Sequence, residues 1–263
     1  MKSETKAMRL LDLLKGKNSI TLAEAMEYLD VSESTARRIF AHLENGGYGV
    51  RFHGGIRLMS DSVIPDYSFD DMKSKYVHEK RAAAGGAAAM VESGDAIYID
   101  SGTTLKHFSF ALIPALESKE ISGIGVFTSS LANFGALKDH AEVYLIGGRY
   151  RDFRKDFCGK MTVDTLSRLK FTKCFIGCDG YHPAGGFTTT DIDSAQIADR
   201  VMENSEESFI VMNSEKFMKV SVVGFARKVK NLTVVTEKKP CDEAKEGLTK
   251  AGIKIVVCKN QQN

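Results

Sequence analysis

Four short apolar runs beyond residue 95 are each followed by a loop rich in hydroxyl groups, glycines or arginines. Hydroxyls and free backbone N–H groups at the start of a helix bind phosphate well, and glycine lets the backbone approach a ligand closely. If the runs are parallel strands, their carboxyl ends meet at one edge of the sheet, where open α/β sheets bind ligands. The loops are Ser101-Gly102-Thr103-Thr104, Thr128-Ser129-Ser130, Gly147-Gly148 with Arg149, Arg151 and Arg154, and Gly177-Cys178-Asp179-Gly180 followed by 185–190. Together they predict one pocket for a sugar phosphate, although each loop alone could be a helix cap or a turn.

The same pocket could instead belong to an enzyme. An aldose–ketose isomerase needs a carboxylate base that removes a proton next to a carbonyl group, in a pocket that also binds phosphate. Asp179, Asp191 and Asp193 are available for that role. The six histidines are scattered, and the sequence has no Ser-His-Asp or metal-ligand pattern. We therefore predict no metal and no cofactor, and keep the isomerase as an alternative.

A second set of residues with hydroxyl and cationic side chains lies in the segment 31–56. This segment has the pattern of a turn, a basic helix, a glycine break and a basic ribbon. That order is typical of a winged helix-turn-helix, which places one helix in the DNA major groove and a β-wing against the phosphates. Small hydroxyls and arginines suit base edges and phosphate oxygens. Two adjacent arginines alone would be an ordinary solvated face, but the succession of elements favours DNA binding. The predicted contacts are Ser34, Thr35, Arg37, Arg38 and His42 on the helix, and Arg51, His53 and Arg57 on the ribbon.

Three helices must position these side chains. Apolar residues at helical spacing predict the first helix over residues 4–15. Thr21 and Glu24 form a predicted capping box at the start of the second helix, and Ser32 is a predicted N-cap for the third. Residues 48–58 alternate as a two-stranded wing requires. The predicted inner stripe of the third helix is Ala36, Ile39, Phe40 and Leu43.

This N-terminal segment resembles the signature of the DeoR-type bacterial repressors of sugar metabolism. The resemblance implies a winged helix-turn-helix that binds operator DNA. It departs from the usual family pattern at Ile39, Phe40 and Ile56. The matching residues are Val31, Ser32, Thr35, Arg37, Arg38, Leu43, Glu44, Gly47, Arg51, His53, Gly54 and Gly55.

The rest of the chain resembles the DeoR-type sensor domain, through the motifs KR, DSGTT, TSSL, GG-x-x-R, GCDG and SEKF. The resemblance implies a fold similar to ribose-5-phosphate isomerase and a sugar-phosphate effector. The chain departs from the usual pattern of that domain at Ser129, Ser194, Ala198 and Asn213. Ser194 lies where the family commonly has a glutamate, which could act as a base. The implied effector-binding residues are Asp100, Ser101, Gly102, Thr103 and Thr104 at one end of the ligand, with Ser129, Arg151, Asp179, Gly180 and Lys216 around the pocket.

Alternating helix-like and strand-like runs predict an α/β fold for this larger part. The predicted helices are 78–92, 104–113, 130–138, 161–169, 191–204 and 242–251. The predicted strands are 96–100, 123–128, 142–146, 173–177, 208–212, 232–236 and 254–257. The predicted domains are a winged helix-turn-helix over 1–58, a linker over 59–76 and a sensor domain over 77–263.

Composition limits the class of protein. The chain has 263 residues, of which 43% are hydrophobic and 27% charged, as in ordinary globular proteins. It has no apolar run of membrane-spanning length and no signal-peptide core at its start, so we expect a cytoplasmic location without a membrane partner. The five cysteines are scattered, which predicts reduced thiols. A redox-responsive regulator using Cys174 or Cys178 is a further alternative.

These patterns favour a DNA-binding regulator, a repressor of carbohydrate-metabolism genes under the control of a phosphorylated sugar, and not an enzyme. The expected partners are operator DNA, the small effector and further copies of the chain. Symmetric operators favour a dimer or a tetramer.

Overall fold

The computed structural model describes residues 2–17, 19–45, 49–52, 54–58, 69–226 and 229–258. The N-terminal part contains three helices and a small antiparallel sheet in which β3 lies between β1 and β2. Its elements are α1 (Lys2–Lys17), β1 (Ser19–Thr21), α2 (Leu22–Leu29), α3 (Glu33–Asn45), β2 (Gly49–Phe52) and β3 (Gly55–Leu58). The predicted three helices and two-stranded wing are therefore present, and β1 adds a third strand that the sequence analysis missed.

Local hydrogen bonds explain where α2 begins and ends. The predicted capping box is confirmed, since the Glu24 N–H donates to the Thr21 hydroxyl and the Thr21 N–H donates to the Glu24 carboxylate. Asp30 ends the helix in the left-handed conformation, with φ 48°. Short polar residues such as aspartate tolerate that conformation better than most, so a tight turn to α3 can follow.

Buried apolar side chains from all three helices form one core under the small sheet. The four residues of the predicted inner stripe of α3, residues 36, 39, 40 and 43, are all buried. Because residues three and four apart share one face of a helix, the intervening polar residues must lie on the outer face. The core thus fixes which side of α3 meets solvent.

The larger part alternates helices and strands. Its helices are α4 (Phe69–Met72), α5 (Val77–Ala88), α6 (Thr103–Glu117), α7 (Leu131–Leu137), α8 (Lys160–Leu166), α9 (Ile192–Glu203) and α10 (Asp242–Lys250), with a 3₁₀ turn at Ser214–Lys216. Its strands are β4 (Ala96–Ile99), β5 (Gly125–Thr128), β6 (Glu142–Leu145), β7 (Arg149–Arg151), β8 (Asp156–Cys158), β9 (Phe171–Ile176), β10 (Gly180–His182), β11 (Gly186–Thr189), β12 (Ser205–Val211), β13 (Val223–Phe225), β14 (Leu232–Thr236) and β15 (Lys254–Val257).

Seven of these strands form one parallel sheet in the order β15-β14-β12-β9-β4-β5-β6. Neighbouring residues of the central strands enter different cores, Tyr98 and Cys174 on one face and Ile97 and Phe175 on the other. A parallel sheet with helices on both faces needs apolar residues on both sides of each strand. This requirement explains the short, wholly apolar runs in the sequence, and the expected α/β class is confirmed.

The order of the strands reverses beside β4. The chain runs outward through β4, β5 and β6, and then returns to place β9 on the other side of β4. The loops after β4 and β9 therefore leave the same edge of the sheet in opposite directions. A crevice opens between such loops, and this is where open α/β sheets bind ligands.

The range predicted as a linker contains a short helix. Residues 59–68 lie outside the described residues, but α4 follows them directly. Phe69 is buried, and its N–H donates to the Phe153 carbonyl at 2.8 Å. Residues 69–72 therefore pack against the α/β part. No helix within the described ranges is long and apolar enough to cross a lipid bilayer.

Candidate functional site

A cleft lies at the strand reversal, beyond the carboxyl ends of β4 and β9. The empty space between its walls is about 520 Å³, a figure that includes space open to solvent. Loops from β4, β9 and β11 and the 3₁₀ turn surround it, and α4, α5 and α9 complete the wall. Its lining residues are Met72, Lys80, Asp100, Ser101, Gly102, Thr103, Thr104, Leu105, Arg154, Gly177, Cys178, Asp179, Thr189, Ser194, Ala198, Lys216 and Phe225.

The N-terminus of α6 forms one side of the cleft. Gly102 caps this helix with φ 112°, a backbone conformation that favours glycine, and it has no side chain to accept hydrogen bonds from the first turn. The first-turn N–H groups and the positive end of the helix dipole can then face a ligand. The buried residues Thr103 and Thr104 add hydroxyls to the same wall. This side of the cleft is suited to an anion.

Two lysines face the same space. Lys80 is only 1% exposed, and its Nζ donates to the Met72 carbonyl at 2.6 Å. Burial lowers the pKa of Lys80 to about 8, and the nearby positive charge of Lys216 contributes. The Lys216 amino group donates to the Cys178 carbonyl. Two cations beside a helix N-terminus strengthen the preference of the cleft for an anion.

Two carboxyl groups also line the cleft. Burial raises the pKa of Asp100 to about 7, although N–H groups of Ser101 and Gly177 donate to its carboxylate and oppose the rise. Asp100 can therefore carry a proton near neutral pH and donate a hydrogen bond. Asp179 accepts hydrogen bonds from the Thr189 hydroxyl at 3.1 Å and the Thr190 N–H at 3.0 Å. These groups can bind the hydroxyls of a polar ligand.

The structure brings seven of the ten predicted effector residues together, namely Asp100, Ser101, Gly102, Thr103, Thr104, Asp179 and Lys216. Three others lie away from the wall. The Ser129 hydroxyl is buried against the Tyr98 hydroxyl at 2.9 Å. Gly180 lies so close to the Lys219 carbonyl that an added Cβ would stand 2.4 Å from its oxygen. Gly180 therefore allows close backbone packing and is not placed to touch a ligand.

Arg151 is the third predicted residue that the structure places elsewhere. It lies behind the cleft wall, where its guanidinium makes two 2.8 Å hydrogen bonds to Asp156 and one of 2.7 Å to Asp191. The arginine that lines the cleft is Arg154, which donates to the Thr190 hydroxyl and pairs with Asp191 at 3.2 Å. Both arginines belong to the β7–β8 hairpin, Arg151 at the end of β7 and Arg154 in the turn that follows.

The buried ion pairs tie this hairpin to α9. Asp191 caps α9 by accepting from the Ser194 N–H at 2.9 Å. Burial alone would raise the pKa of Asp191, but Arg154, the Ser194 N–H and Arg151 together hold it below its usual value. Since Ser194 itself lines the cleft, the network positions part of the ligand-facing wall. The sequence places Arg154 in a predicted pocket loop but not among the effector-binding residues, and it gives no indication that Lys80 lines the cleft.

The isomerase alternative loses two of its three candidate bases. Asp191 is occupied by the arginine network, and Asp193 pairs with Arg149 at 2.7 Å. Of these three aspartates only Asp179 lines the cleft, where Asp100 is the other carboxyl group, and the position that could hold a glutamate base is Ser194. In the described part of the chain, no group of three or more histidine, cysteine or acidic residues is placed to hold a metal ion.

Cys174 and Cys178, the two cysteines of the redox alternative, are poorly suited to redox sensing. Cys174 and Cys178 are both buried, and burial raises their pKa values to about 11 and about 12. Oxidants attack the thiolate, so thiols that stay protonated and buried are unreactive. Geometry thus disfavours the redox alternative for these two residues.

The outer face of α3 carries the predicted DNA contacts. Ser34, Arg38 and His42 are exposed, and Thr35 is half-buried. Arg37 is exposed as well but pairs with Glu33 one turn earlier, at 2.7 Å. Arg38 therefore presents the less encumbered of the two guanidinium groups to a ligand on this face.

The predicted wing contacts differ from one another. Arg51 pairs with Glu44 of α3 at 2.6 Å, and its backbone N–H donates to the same carboxylate at 2.9 Å. These bonds lower the pKa of Glu44 and fasten β2 to α3. His53 lies outside the described residues. Arg57 lies in β3, and its side chain is outside the described part.

Comparison with known proteins gives the family. The profile of the DeoR C terminal sensor domain matches residues 75–238, and that of the DeoR-like helix-turn-helix domain matches residues 7–62. The chain belongs to the DeoR family. A lactose phosphotransferase system repressor of Lactococcus lactis subsp. lactis is 33% identical over 82% of this DeoR-family chain and 84% of its own length. The uncharacterized HTH-type transcriptional regulator FruR of Bacillus subtilis is 29% identical, over 86% of this chain and 88% of its own length.

Solved structures resemble this DeoR-family protein only distantly. A D-ribose-5-phosphate isomerase in complex with phospho-erythronic acid covers 53% of each chain with a TM-score of 0.41 and 16% identity. The delta subunit of eIF2B from Chaetomium thermophilum covers 90% of this chain and 72% of its own, with a TM-score of 0.46 and 11% identity.

Proposed function

We propose that this DeoR-family protein represses carbohydrate-metabolism genes and that a phosphorylated sugar, bound in the cleft, controls its affinity for operator DNA. One observation supports the proposed effector site. The N-terminus of α6, which has no side-chain cap, lines the same cleft as Lys80 and Lys216, together with hydroxyl and carboxyl groups. The helix end and the lysines suit a phosphate, and the hydrogen-bonding groups suit sugar hydroxyls. The name of the Lactococcus relative supports a role in sugar uptake.

We propose that the DNA-binding surface is the exposed face of α3 together with the wing. The protein would act as a homo-oligomer, a dimer or a tetramer, because a twofold operator is bound by two recognition helices. It would act in the cytoplasm, where the operator is. We propose that it does not turn over its ligand. Ser194 cannot act as a base, Asp191 is held by two arginines, and the cleft carboxyls Asp179 and Asp100 already accept hydrogen bonds from neighbouring groups.

Replacing Lys216 with methionine should weaken sugar-phosphate binding about ten- to hundredfold, as expected for the loss of a charge-assisted hydrogen bond worth about 1.5–3 kcal/mol. Operator binding without effector should remain, since α3 is untouched. Isothermal titration calorimetry with a panel of sugar phosphates, with and without operator, measures both. Coupling is reciprocal, so operator must change effector affinity by the same factor that effector changes operator affinity.

The matched control is Lys250→Met, because the side chain of Lys250 is 80% exposed on α10 and pairs only with Glu246. Equal loss of effector affinity in both lysine variants would exclude the cleft as the binding site. Conversion of the sugar phosphate to its isomer by the wild-type protein would favour the enzyme alternative.

Phosphate affinity should fall as pH rises from about 7 to about 9. Asp100 has a pKa of about 7 and gains negative charge over this range, and Lys80 has a pKa of about 8 and loses positive charge. Both changes disfavour an anion, whereas the phosphate monoester of a sugar phosphate is already largely dianionic above its second pKa of about 6. Other charged groups near Lys80 are Lys216, Lys75, Glu79 and His107. Titration with ribitol 5-phosphate, a phosphate monoester, at several pH values tests this, and an affinity that rises with pH would contradict it.

A further inference from the structure

Lys80 has the setting of a reactive amine. It lies on α5 with its side chain 1% exposed, and its Nζ reaches the wall of the cleft. Its one described hydrogen bond runs to the Met72 carbonyl, which leaves two of the three donors of an ammonium unused. Among the described residues this amine has no ion-pair partner, although the carboxylate of Glu79 is near enough to oppose slightly the fall in its pKa. A lysine buried in this way usually has an acidic partner that holds it charged.

The electrostatic surroundings favour the neutral form of this amine. Burial is the main cause of its lowered pKa of about 8, and the positive charges of Lys216 and Lys75 act in the same direction. At pH 7 a lysine with that pKa has a free-amine fraction on the order of a few hundredfold larger than an ordinary surface lysine. Neutral lysines in apolar surroundings are the ones that form Schiff bases with carbonyl compounds.

The N-terminus of α6 lines the same cleft as this amine and would hold the phosphate of a ligand. Sugars carry an aldehyde or ketone in their open-chain form, and the helix N-terminus at Gly102 and Thr103 is suited to the phosphate at the other end of such a molecule. The lining contains an anion site and an uncompensated amine in one enclosed space. That pairing fits a ligand with a phosphate at one end and a carbonyl group at the other.

We propose that Lys80 forms a reversible imine with the carbonyl carbon of an open-chain sugar phosphate bound in the cleft. This rests on the proposed function and adds a covalent step to it. The lone pair of Nζ attacks the carbonyl carbon and the C–N bond forms. The carbonyl oxygen leaves as water with the two protons of the neutral amine, so no oxidant or reductant is needed. Effector binding would then have a fast ionic phase and a slower covalent phase.

Borohydride trapping tests the imine directly. The full-length protein is incubated at pH 7 with D-ribose 5-phosphate or D-fructose 6-phosphate, treated with sodium borohydride, digested and mapped by mass spectrometry. The control ligands are ribitol 5-phosphate and the corresponding hexitol 6-phosphate. They keep the phosphate and hydroxyl groups of the sugar phosphates but have no carbonyl group. We expect a reduced sugar adduct on the Lys80 peptide with a sugar phosphate and none with an alditol phosphate.

Exposed lysines provide the internal control. Lys160 and Lys250 have side chains 86% and 80% exposed, and their adducts should be at least tenfold less abundant than the adduct on Lys80. Lys80→Arg keeps the positive charge but should give no adduct at this position. If that variant does not fold, the comparison of lysine peptides within the wild-type protein still decides the question.

The trapping and binding experiments together distinguish a failure of the imine proposal from a failure of the proposed effector site. Calorimetry on the same ligands reports binding independently of trapping. Sugar phosphates that bind without an adduct on Lys80 would overturn the imine and leave Lys80 as a charge partner of the phosphate, with the proposed effector site intact. Adducts spread equally over surface lysines would overturn it too. Absence of binding by sugar phosphates, alditol phosphates and inorganic phosphate alike would remove the proposed effector site, and the imine with it.

Discussion

Replacing Arg151 with methionine should lower the free energy of unfolding of the α/β domain by about 3–5 kcal/mol, the usual cost of removing one partner of a buried ion pair. Asp156 is 2% exposed, and both of its carboxylate oxygens accept from Arg151. Without the arginine this charge stays buried with a much weaker set of partners. Urea unfolding followed by circular dichroism measures the effect, because the chain has no tryptophan to report by fluorescence.

The control is Arg149→Met on the same hairpin, since the Arg149 side chain is 68% exposed and its pair with Asp193 lies at the surface. Exposed pairs contribute about 0–1 kcal/mol, so this variant should unfold nearly as the wild type does. The double variant Arg151→Met with Asp156→Leu removes both charges and should recover much of the lost stability. If Arg151→Met and Arg149→Met lower the free energy of unfolding equally, the buried and the exposed ion pair of this hairpin contribute equally to stability.

Replacing Arg38 with alanine should weaken operator binding by about 1–3 kcal/mol if the guanidinium contacts a base, with relaxed sequence preference. If it contacts a phosphate, the dependence of affinity on salt should fall by about one unit of slope instead. Stability should change little, because Arg38 lies on the exposed face of α3 opposite the buried stripe. Gel-shift titrations at two salt concentrations distinguish the two contacts.

Arg168→Ala is the matched control, as it makes the same chemical change at an exposed arginine of the α/β domain. We expect operator affinity close to that of the wild type. Unchanged affinity in Arg38→Ala as well would mean that this face of α3 does not enter the groove. Arg37 is a weaker choice for this test, because its pair with Glu33 must first be broken.

Sequence alone predicts the elements that bury the most apolar surface. The seven strands of the main sheet are predicted within a few residues, since the central strands are mostly buried on both faces and contain short apolar runs. Short strands such as β7 and β10 are missed because they contain three residues each and follow no alternation. Their pairing depends on contacts from distant segments, and local propensity does not contain that information.

The residues of the candidate site likewise divide into those that the sequence predicts and those that depend on tertiary packing. The strand-end loops predict Asp100, Thr104 and Asp179, because the edge of a parallel sheet gathers them whatever the side-chain packing. Lys80 is missed because a lysine within a helix is ordinarily solvated, and only the packing of α4 and the cleft wall buries it. The family resemblance assigns Arg151 to the ligand, whereas Arg154 in the turn of the β7–β8 hairpin lines the cleft, because the ion pairs that place the two side chains come from distant segments.

The reversal of strand order beside β4 also limits when the ligand site can exist during synthesis. The Gly177 N–H that bonds Asp100 comes from a residue 77 positions later in the chain. A nascent chain that has not yet released β9 from the ribosome has β5 on one side of β4 and an unpaired edge on the other. Such edges are sites of aggregation, and contacts between distant residues form slowly. The ability to sense a ligand should therefore emerge late and abruptly in biosynthesis, after β9 has closed that edge.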